Sequence, residues 1–254
     1  MPNNIVYQSD AISAFYRTHR RRWSEFYPSE QTIFEKLTAQ GASFASVLDV
    51  GCAAGGLGEA LMERFGSLVS YTGVDLNRQV IEAGRVLPSR IGVRTLLAAD
   101  VCNCPELDGR RFNLVTALSV ADWNVDATGI MAKCWEAVRP EGYLVISLRL
   151  TPERTVCDIS RSYQFIWFDP TPPPPGVERA AYNVFNVGEV LEWLGGLDPR
   201  PAAIDCYGYW GKPSAMAHTP YDRLVFSVIA LRKSNGPVGD IAIDADLPAD
   251  VVAN

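Results

Sequence analysis

The stretch from Val47 to Leu61, VLDVGCAAGGLGEAL, constrains this chain more than any other. Val47, Leu48 and Val50 are apolar and β-favouring, as a buried strand requires. Gly51, Gly55, Gly56 and Gly58 follow, and they permit a tight turn and close backbone approach to a ligand. Glu59, Ala60, Leu61, Met62 and Glu63 are helix formers, and Gly66 is placed to stop that helix. Strand, glycine turn and helix open a nucleotide-binding α/β unit.

Further strands follow at matching intervals. Leu68 to Val74 ends in Asp75, and Val93 to Leu97 is followed by Asp100. Phe112 to Ser119 leads to Asp122 and Trp123, and Tyr143 to Leu148 follows Arg139-Pro140-Glu141-Gly142. The alternation predicts a parallel sheet with right-handed crossovers and ligands at the carboxyl ends of the strands. A helix near Val125 to Val138 turns Ile130, Met131, Cys134, Trp135 and Val138 to one side, as a core-facing stripe. A carboxylate at Asp75 can accept both hydroxyls of a ribose, which suits a nicotinamide cofactor as well as an adenosyl one.

Taken together, the glycine turn, Asp75, Asp100 and the segment Ser119 to Trp123 resemble the class I S-adenosylmethionine-dependent methyltransferases. The resemblance is closest from Thr32 to Leu150 and looser in the last strands. It implies a Rossmann-like α/β fold: a seven-stranded, mostly parallel sheet with helices on both faces, a C-terminal antiparallel hairpin and an N-terminal helical cap. It implies S-adenosylmethionine as cofactor, S-adenosylhomocysteine as product, and direct in-line methyl transfer. Asp49, Gly51, Cys52, Ala53 and Gly55 would then lie along the methionine portion. Asp75 would take the ribose, with Leu76 and Asn77 flanking the adenosine. Asp100 would accept from the adenine amino group while the Val101 N–H reaches the ring. Ser119 and Val120 would stand where acceptor and sulfonium meet. Ala53 replaces the family's middle glycine, which runs against a pyrophosphate ligand.

The domains expected are a helical cap over 1–42, a methyltransferase domain over 43–233 and an acidic tail over 234–254. Insertions at 151–185 and 208–222 interrupt the middle one. The cap reads as two helices. Ser9 or Asp10 can cap the first, which carries Ile12, Phe15, Tyr16, His19 and Trp23; Pro28 opens the second and Gly41 ends it. Arg20-Arg21-Arg22 reads as a solvated face. The run Pro172 to Pro175 breaks regular structure and marks a loop or lid near Trp167 and Phe168. Asn186 caps a helix over Val187 to Leu194. Ala202 to Tyr207 and Leu224 to Leu231 are two late strands, and Gly208 to Tyr221 reads as a long aromatic loop between them. Ile241 and Ile243 suit an added edge strand.

For the acceptor, the wall is expected from Tyr16, His19, Trp23 and Tyr27 on the leading helices, with Trp123, Tyr209 and Trp210. His218 is the first candidate for a general base and His19 the second, while Asp122 would orient the acceptor or cap a helix. The net charge of −6 includes four tail acids, Asp240, Asp244, Asp246 and Asp250, with no Lys or Arg among them. The body that remains is near neutral and does not suit a phosphate-tracking surface. The chain also lacks the Asn/Asp-Pro-Pro-Tyr run and the Pro-Cys nucleophile of nucleic-acid methyltransferases. A small-molecule acceptor follows, with oxygen on a sugar or other hydroxylated metabolite preferred and nitrogen as the rival. A homodimer is compatible with this reading.

The other classes are a nicotinamide-dependent oxidoreductase, which predicts an all-parallel sheet, and a non-catalytic S-adenosylmethionine-binding module. The six cysteines are scattered, as reduced apolar residues rather than zinc ligands. No metal is expected. No apolar run approaches the ~18 residues of a membrane span. The segment MPNNIVYQSD carries no signal pattern, so a cytoplasmic protein is the default.

Overall fold

A computed structural model describes residues 5, 7, 10–167, 169 and 171–252, apart from the side chains at 11 and 12. The expected cap at Ser9, the apolar contact of Ile12 and the loop position of Phe168 lie outside the described residues.

The parallel core forms from β1 (Ser46–Val50), β2 (Ser70–Asp75), β3 (Val93–Ala98), β4 (Phe112–Ala117) and β5 (Val138–Thr151). It ends in the antiparallel pair β9 (Pro201–Gly211) and β11 (Leu224–Lys233). The order across the main sheet is β12-β9-β11-β5-β4-β1-β2-β3, and β8 (Phe185–Asn186) pairs with the tip of β5. All seven expected strands are present. The antiparallel hairpin departs from the all-parallel sheet of a nicotinamide-dependent oxidoreductase.

Two strands extend the sheet beyond the expected seven. One is β8; the other is β12 (Ala242–Asp246), parallel to β9, in the segment with Ile241 and Ile243. Lys36 holds that edge by bridging Asp205 at 2.6 Å and Asp244 at 2.8 Å. The acidic segment is thus bound into the sheet rather than lying apart from it.

Several boundaries move. β5 begins at Val138 and not at Tyr143, passing through Glu141 at φ +60°. β9 continues to Gly211, so the aromatic loop shrinks and Tyr209 and Trp210 lie within a strand. The two insertions meet: β6 (Tyr163–Phe165) and β7 (Arg179–Ala181), both from the first, pair with β10 (Ala217–His218), from the second. Backbone groups of both segments find partners in that second, three-stranded antiparallel sheet.

Apolar periodicity explains the two layers. On one face, Ile130, Met131, Cys134 and Trp135 of α5 (Ala127–Ala137) pack on Leu48, Val115 and Leu144 with α6 (Val187–Gly195). On the other, Ile33, Phe34 and Leu37 of α2 (Pro28–Ala39) join Leu61 of α3 (Gly56–Phe65) and Tyr71. Each such large side chain contributes about 1.5–3 kcal/mol on burial. Pro28 opens α2, and Asn186 caps α6 by accepting from the Glu189 N–H. The α5 cap is Asp126 and not Asp122.

The leading segment, with α1 (Asp10–Thr18), sits against the start of α3. A Cβ at Gly56 would lie 2.0 Å from the Arg20 carbonyl oxygen, so glycine is what lets the two backbones touch. Arg20 is not solvated. Its guanidinium donates to both oxygens of buried Glu30, at 3.1 and 2.8 Å. Among the described residues, no helix is long and apolar enough to cross a membrane.

Candidate active site at the strand tips

One cavity of about 520 Å³ opens at the carboxyl ends of β1, β2, β3 and β4. This volume lies in the ~300–1,000 Å³ range of small-ligand sites. The wall divides into a half made by the parallel sheet and a half made by the leading segment and the insertions.

The sheet half starts at the turn after β1. Gly51 has φ +69°, and a Cβ there would lie 2.3 Å from a Val120 methyl carbon. Ala53 adopts φ +48° without being glycine. Its N–H donates to Asp75 Oδ2 at 2.9 Å, while the Asn77 N–H donates to Asp75 Oδ1 at 2.8 Å. One carboxylate thereby fixes two backbone segments and keeps lone pairs over on each oxygen. Burial raises the Asp75 carboxyl, opposed by the N–H groups of Asn77 and Ala53.

Asp49 is buried at the tip of β1, where its Oδ2 accepts from the Tyr71 hydroxyl at 2.5 Å and its Oδ1 from Thr116 Oγ1 at 2.7 Å. Burial pushes its carboxyl up to about 6 against these two donors. Asp100 follows β3 and accepts from the Cys102 N–H at 3.0 Å. Ser119 stands at φ +55° after β4, with its N–H donating to Ser147 Oγ at 2.6 Å. Strained non-glycine backbone of this kind clusters at ligand sites.

The cavity wall contains Asp49, Gly51, Cys52, Ala53, Asp75, Leu76, Asn77, Asp100, Val101, Ser119 and Val120. Gly55 is the exception. At φ +78° it starts α3 and packs on Leu96 and Tyr71, outside the wall. These residues fit S-adenosylmethionine on their own chemistry. Side-chain space is closed at Gly51, and three acids face the cavity where an ammonium, two ribose hydroxyls and an adenine amino group need acceptors.

The other half is aromatic. Tyr16, His19, Tyr27 and Trp123 line it, as the sequence suggests. Tyr7, Phe15, Phe165 and Trp167 also line it, with Gln164 and Met216 from the three-stranded sheet region. Of these, the sequence places Phe15 on the leading helix, Trp167 in the lid and Met216 in the loop read as part of the substrate pocket, while Tyr7, Gln164 and Phe165 stand out in no sequence pattern. Arg20 is also in the wall, already paired with Glu30.

Of the two histidines, one lines the cavity. His218 pairs across β10–β6 with Tyr163, stacks on that ring at 5.1 Å between centroids, and is absent from the wall. Its partner Tyr163 is absent from the wall as well, whereas the run from Gln164 to Trp167 that follows it lines the cavity. His19 is in the wall. Its Nδ1 lies 3.0 Å from the Phe15 carbonyl oxygen and 3.0 Å from Thr18 Oγ1; in the tautomer that donates from Nδ1 to the carbonyl, Nε2 is the acceptor.

Three other expectations also change. Trp23 packs with Phe26 and Phe34 of the cap and with Phe65 at the end of α3. Tyr209 stacks on Phe226, and Trp210 holds Asp250 at 2.8 Å beneath Arg223, so neither reaches the cavity. Asp122 is buried behind the wall, 3.3 Å from Arg149, and its carboxyl is pushed up to about 6 by burial although Arg149 opposes the shift. It neither touches the cavity nor caps α5. The cysteines are all free, and no group of His, Cys, Asp or Glu among the described residues could hold a metal ion.

Comparison with known proteins agrees with this arrangement. The model of a family described as a methyltransferase domain matches residues 48–144. The ubiquinone biosynthesis O-methyltransferase of Vibrio cholerae serotype O1 is 28% identical over 154 residues, covering 58% of this chain and 59% of that protein. The Proteus mirabilis protein of the same name is 31% identical over 110 residues, covering 43% and 44%. The chain thus spans well under two thirds of the length of these curated relatives. A solved amino pentose methyltransferase from Micromonospora echinaspora, with S-adenosylmethionine bound, superposes with a TM-score of 0.51 at 17% identity. That match covers 92% of this chain and 100% of the other, and it shows the shared fold.

Proposed function

We propose, from the premise that residues 48–144 are a methyltransferase domain of the class I S-adenosylmethionine-dependent type, that the whole chain methylates an oxygen of a small, flat, hydroxylated acceptor. One observation carries the reading. A single cavity joins three strand-tip acids to an aromatic chamber that includes the one histidine of the described wall, His19. The curated relatives named as O-methyltransferases support the choice of oxygen.

S-Adenosylmethionine bound in the sheet half supplies an electrophilic methyl group on a positively charged sulfur. Asp49 would take its ammonium, Asp75 its ribose hydroxyls, and Asp100 with the Val101 N–H the adenine edge. Tyr16, Tyr27 and Trp123 exclude water and hold the acceptor ring for in-line approach. His19 Nε2 accepts the hydroxyl proton as the oxygen becomes nucleophilic. Phe15 and Thr18 fix the His19 tautomer from the other side of the ring. The acceptor half offers no unpaired Lys or Arg among the described residues, since Glu30 occupies Arg20. A neutral small molecule suits it better than a phosphorylated one or nucleic acid.

The test is transfer of labelled methyl from S-adenosylmethionine to catechol, to a neutral hydroxylated sugar and to a primary amine. The reading expects O-methylated catechol as the main product. Transfer to the amine alone would favour the nitrogen alternative. Binding of S-adenosylhomocysteine without transfer to any acceptor class would favour a non-catalytic module.

A further inference from the structure

The turn that carries Trp123 is held from outside at every backbone carbonyl from Ala121 to Asn124. Asn183 Nδ2 donates to the Ala121 carbonyl at 3.2 Å and to the Asn124 carbonyl at 2.7 Å. The Asp122 carbonyl accepts from Arg149 Nη1 at 2.9 Å and from the Asn183 N–H at 2.9 Å. The Trp123 carbonyl accepts from the Tyr7 hydroxyl. These donors come from the N-terminal segment, from the tip of β5 and from the link between β7 and β8.

The ring itself is also held. The Arg149 guanidinium lies 4.6 Å from the Trp123 ring centre and 3.7 Å from that of Tyr182. Arg149 is 4% exposed and Asp122 is 3% exposed, so the charge pair sits wholly inside the protein. A buried pair of this kind is weak as a source of stability, because desolvation offsets the attraction. Its geometry, however, fixes the planar group that meets Trp123. A turn of three residues, closed by the Trp123 N–H to the Val120 carbonyl at 3.1 Å, is easily deformed by itself. With the outside donors in place it has one arrangement, and Trp123 faces the cavity in that arrangement.

We infer that Arg149 and Asn183 are positioning residues, which set the Trp123 ring as a rigid wall for a flat acceptor ring. The inference rests on the acceptor reading given above. Neither residue lines the cavity, so each acts through Trp123.

The experiment measures binding of catechol and of its saturated counterpart, 1,2-cyclohexanediol, to protein loaded with S-adenosylhomocysteine. Wild type, Arg149→Lys and Asn183→Ala are compared. Arg149→Lys keeps a positive charge beside Asp122 and loses the planar stack. Asn183→Ala removes two carbonyl donors and leaves the ion pair, and it carries the test where the first variant does not fold. Wild type is expected to prefer the aromatic diol by about tenfold, the scale of one ring contact. Each variant should lose most of that preference, with S-adenosylhomocysteine affinity within about twofold of wild type. In turnover, acceptor KM should rise more than kcat falls. An absent preference in wild type, an unchanged preference in the variants, or a loss that appears only together with S-adenosylhomocysteine affinity would overturn the inference. If the ring preference moves as stated while wild type methylates no hydroxylated acceptor, the positioning role stands and the acceptor reading falls.

Discussion

The two halves of the cavity differ in how their residues reach it. Every acid of the cofactor half lies within two residues of the end of a strand of the parallel sheet, close to the pattern that places it. Asp49 follows VL, Asp75 closes β2 and Asp100 comes two positions after β3. The acceptor half is assembled from segments far apart in the chain. Tyr7, His19, Gln164 and Met216 meet only because the leading segment crosses the strand tips and the two insertions pair with each other. On the proposed reading, cofactor recognition is built into the sheet, while acceptor recognition depends on long-range contacts that can change without disturbing it.

The strongest way to break this comparison lies in the acceptor half. His19→Ala should lower kcat about 100-fold at neutral pH, the low end of what a general base contributes, and leave S-adenosylhomocysteine affinity intact. His218→Ala should change neither, because its ring stacks on Tyr163 away from the cavity. Equal losses in both variants would place the base elsewhere.

Next comes the cofactor half. Asp75→Ala removes the proposed acceptor for the ribose hydroxyls and the anchor of two backbone N–H groups. Affinity for S-adenosylhomocysteine should fall by about 2–3 kcal/mol, read by calorimetry, as expected for hydrogen bonds to a charged group. Unchanged affinity would mean that the ribose lies elsewhere.

The seam between the halves gives a third effect. Gly56→Ala drives a Cβ into the Arg20 carbonyl, so the leading segment must shift. Stability should drop by about 1–3 kcal/mol in denaturant unfolding, and acceptor binding should suffer more than cofactor binding. An unaffected acceptor site would detach the leading segment from the acceptor half.

The smallest effect is a pH dependence. Burial holds the Asp49 carboxyl near 6 in the ligand-free protein, and an ammonium partner needs it ionised. S-Adenosylhomocysteine affinity should be flat above about pH 6 and fall about tenfold per unit below it, and Asp49→Asn should remove the slope. For folding the sign is opposite. A carboxyl raised above its unfolded value costs least when protonated, so this cost appears as pH climbs from about 4 to about 6.

How much could be read from sequence follows from the same contrast. The strand order, the glycine turn and the acids at 49, 75 and 100 are legible because short-range spacing specifies them. The edge strand near Ile243 is legible for the same reason. The pairing of the insertions is not, since β6, β7 and β10 are three residues or shorter and carry no pattern to read. That is why His218 looks like the better base until its pairing with Tyr163 is seen. Arg20 reads as solvated within a run of arginines because its partner Glu30 belongs to the next helix. Arg149 reads as one more strand residue until Trp123 and Tyr182 close around it.

The most direct measurement is a crystal structure of the protein with S-adenosylhomocysteine. The account predicts the ribose hydroxyls on Asp75, the ammonium on Asp49, the adenine between Leu76 and Val101, and the sulfur facing the His19 chamber. A compound seated outside the strand tips, or an Asp75 carboxylate turned to bulk water with the compound bound, would contradict it.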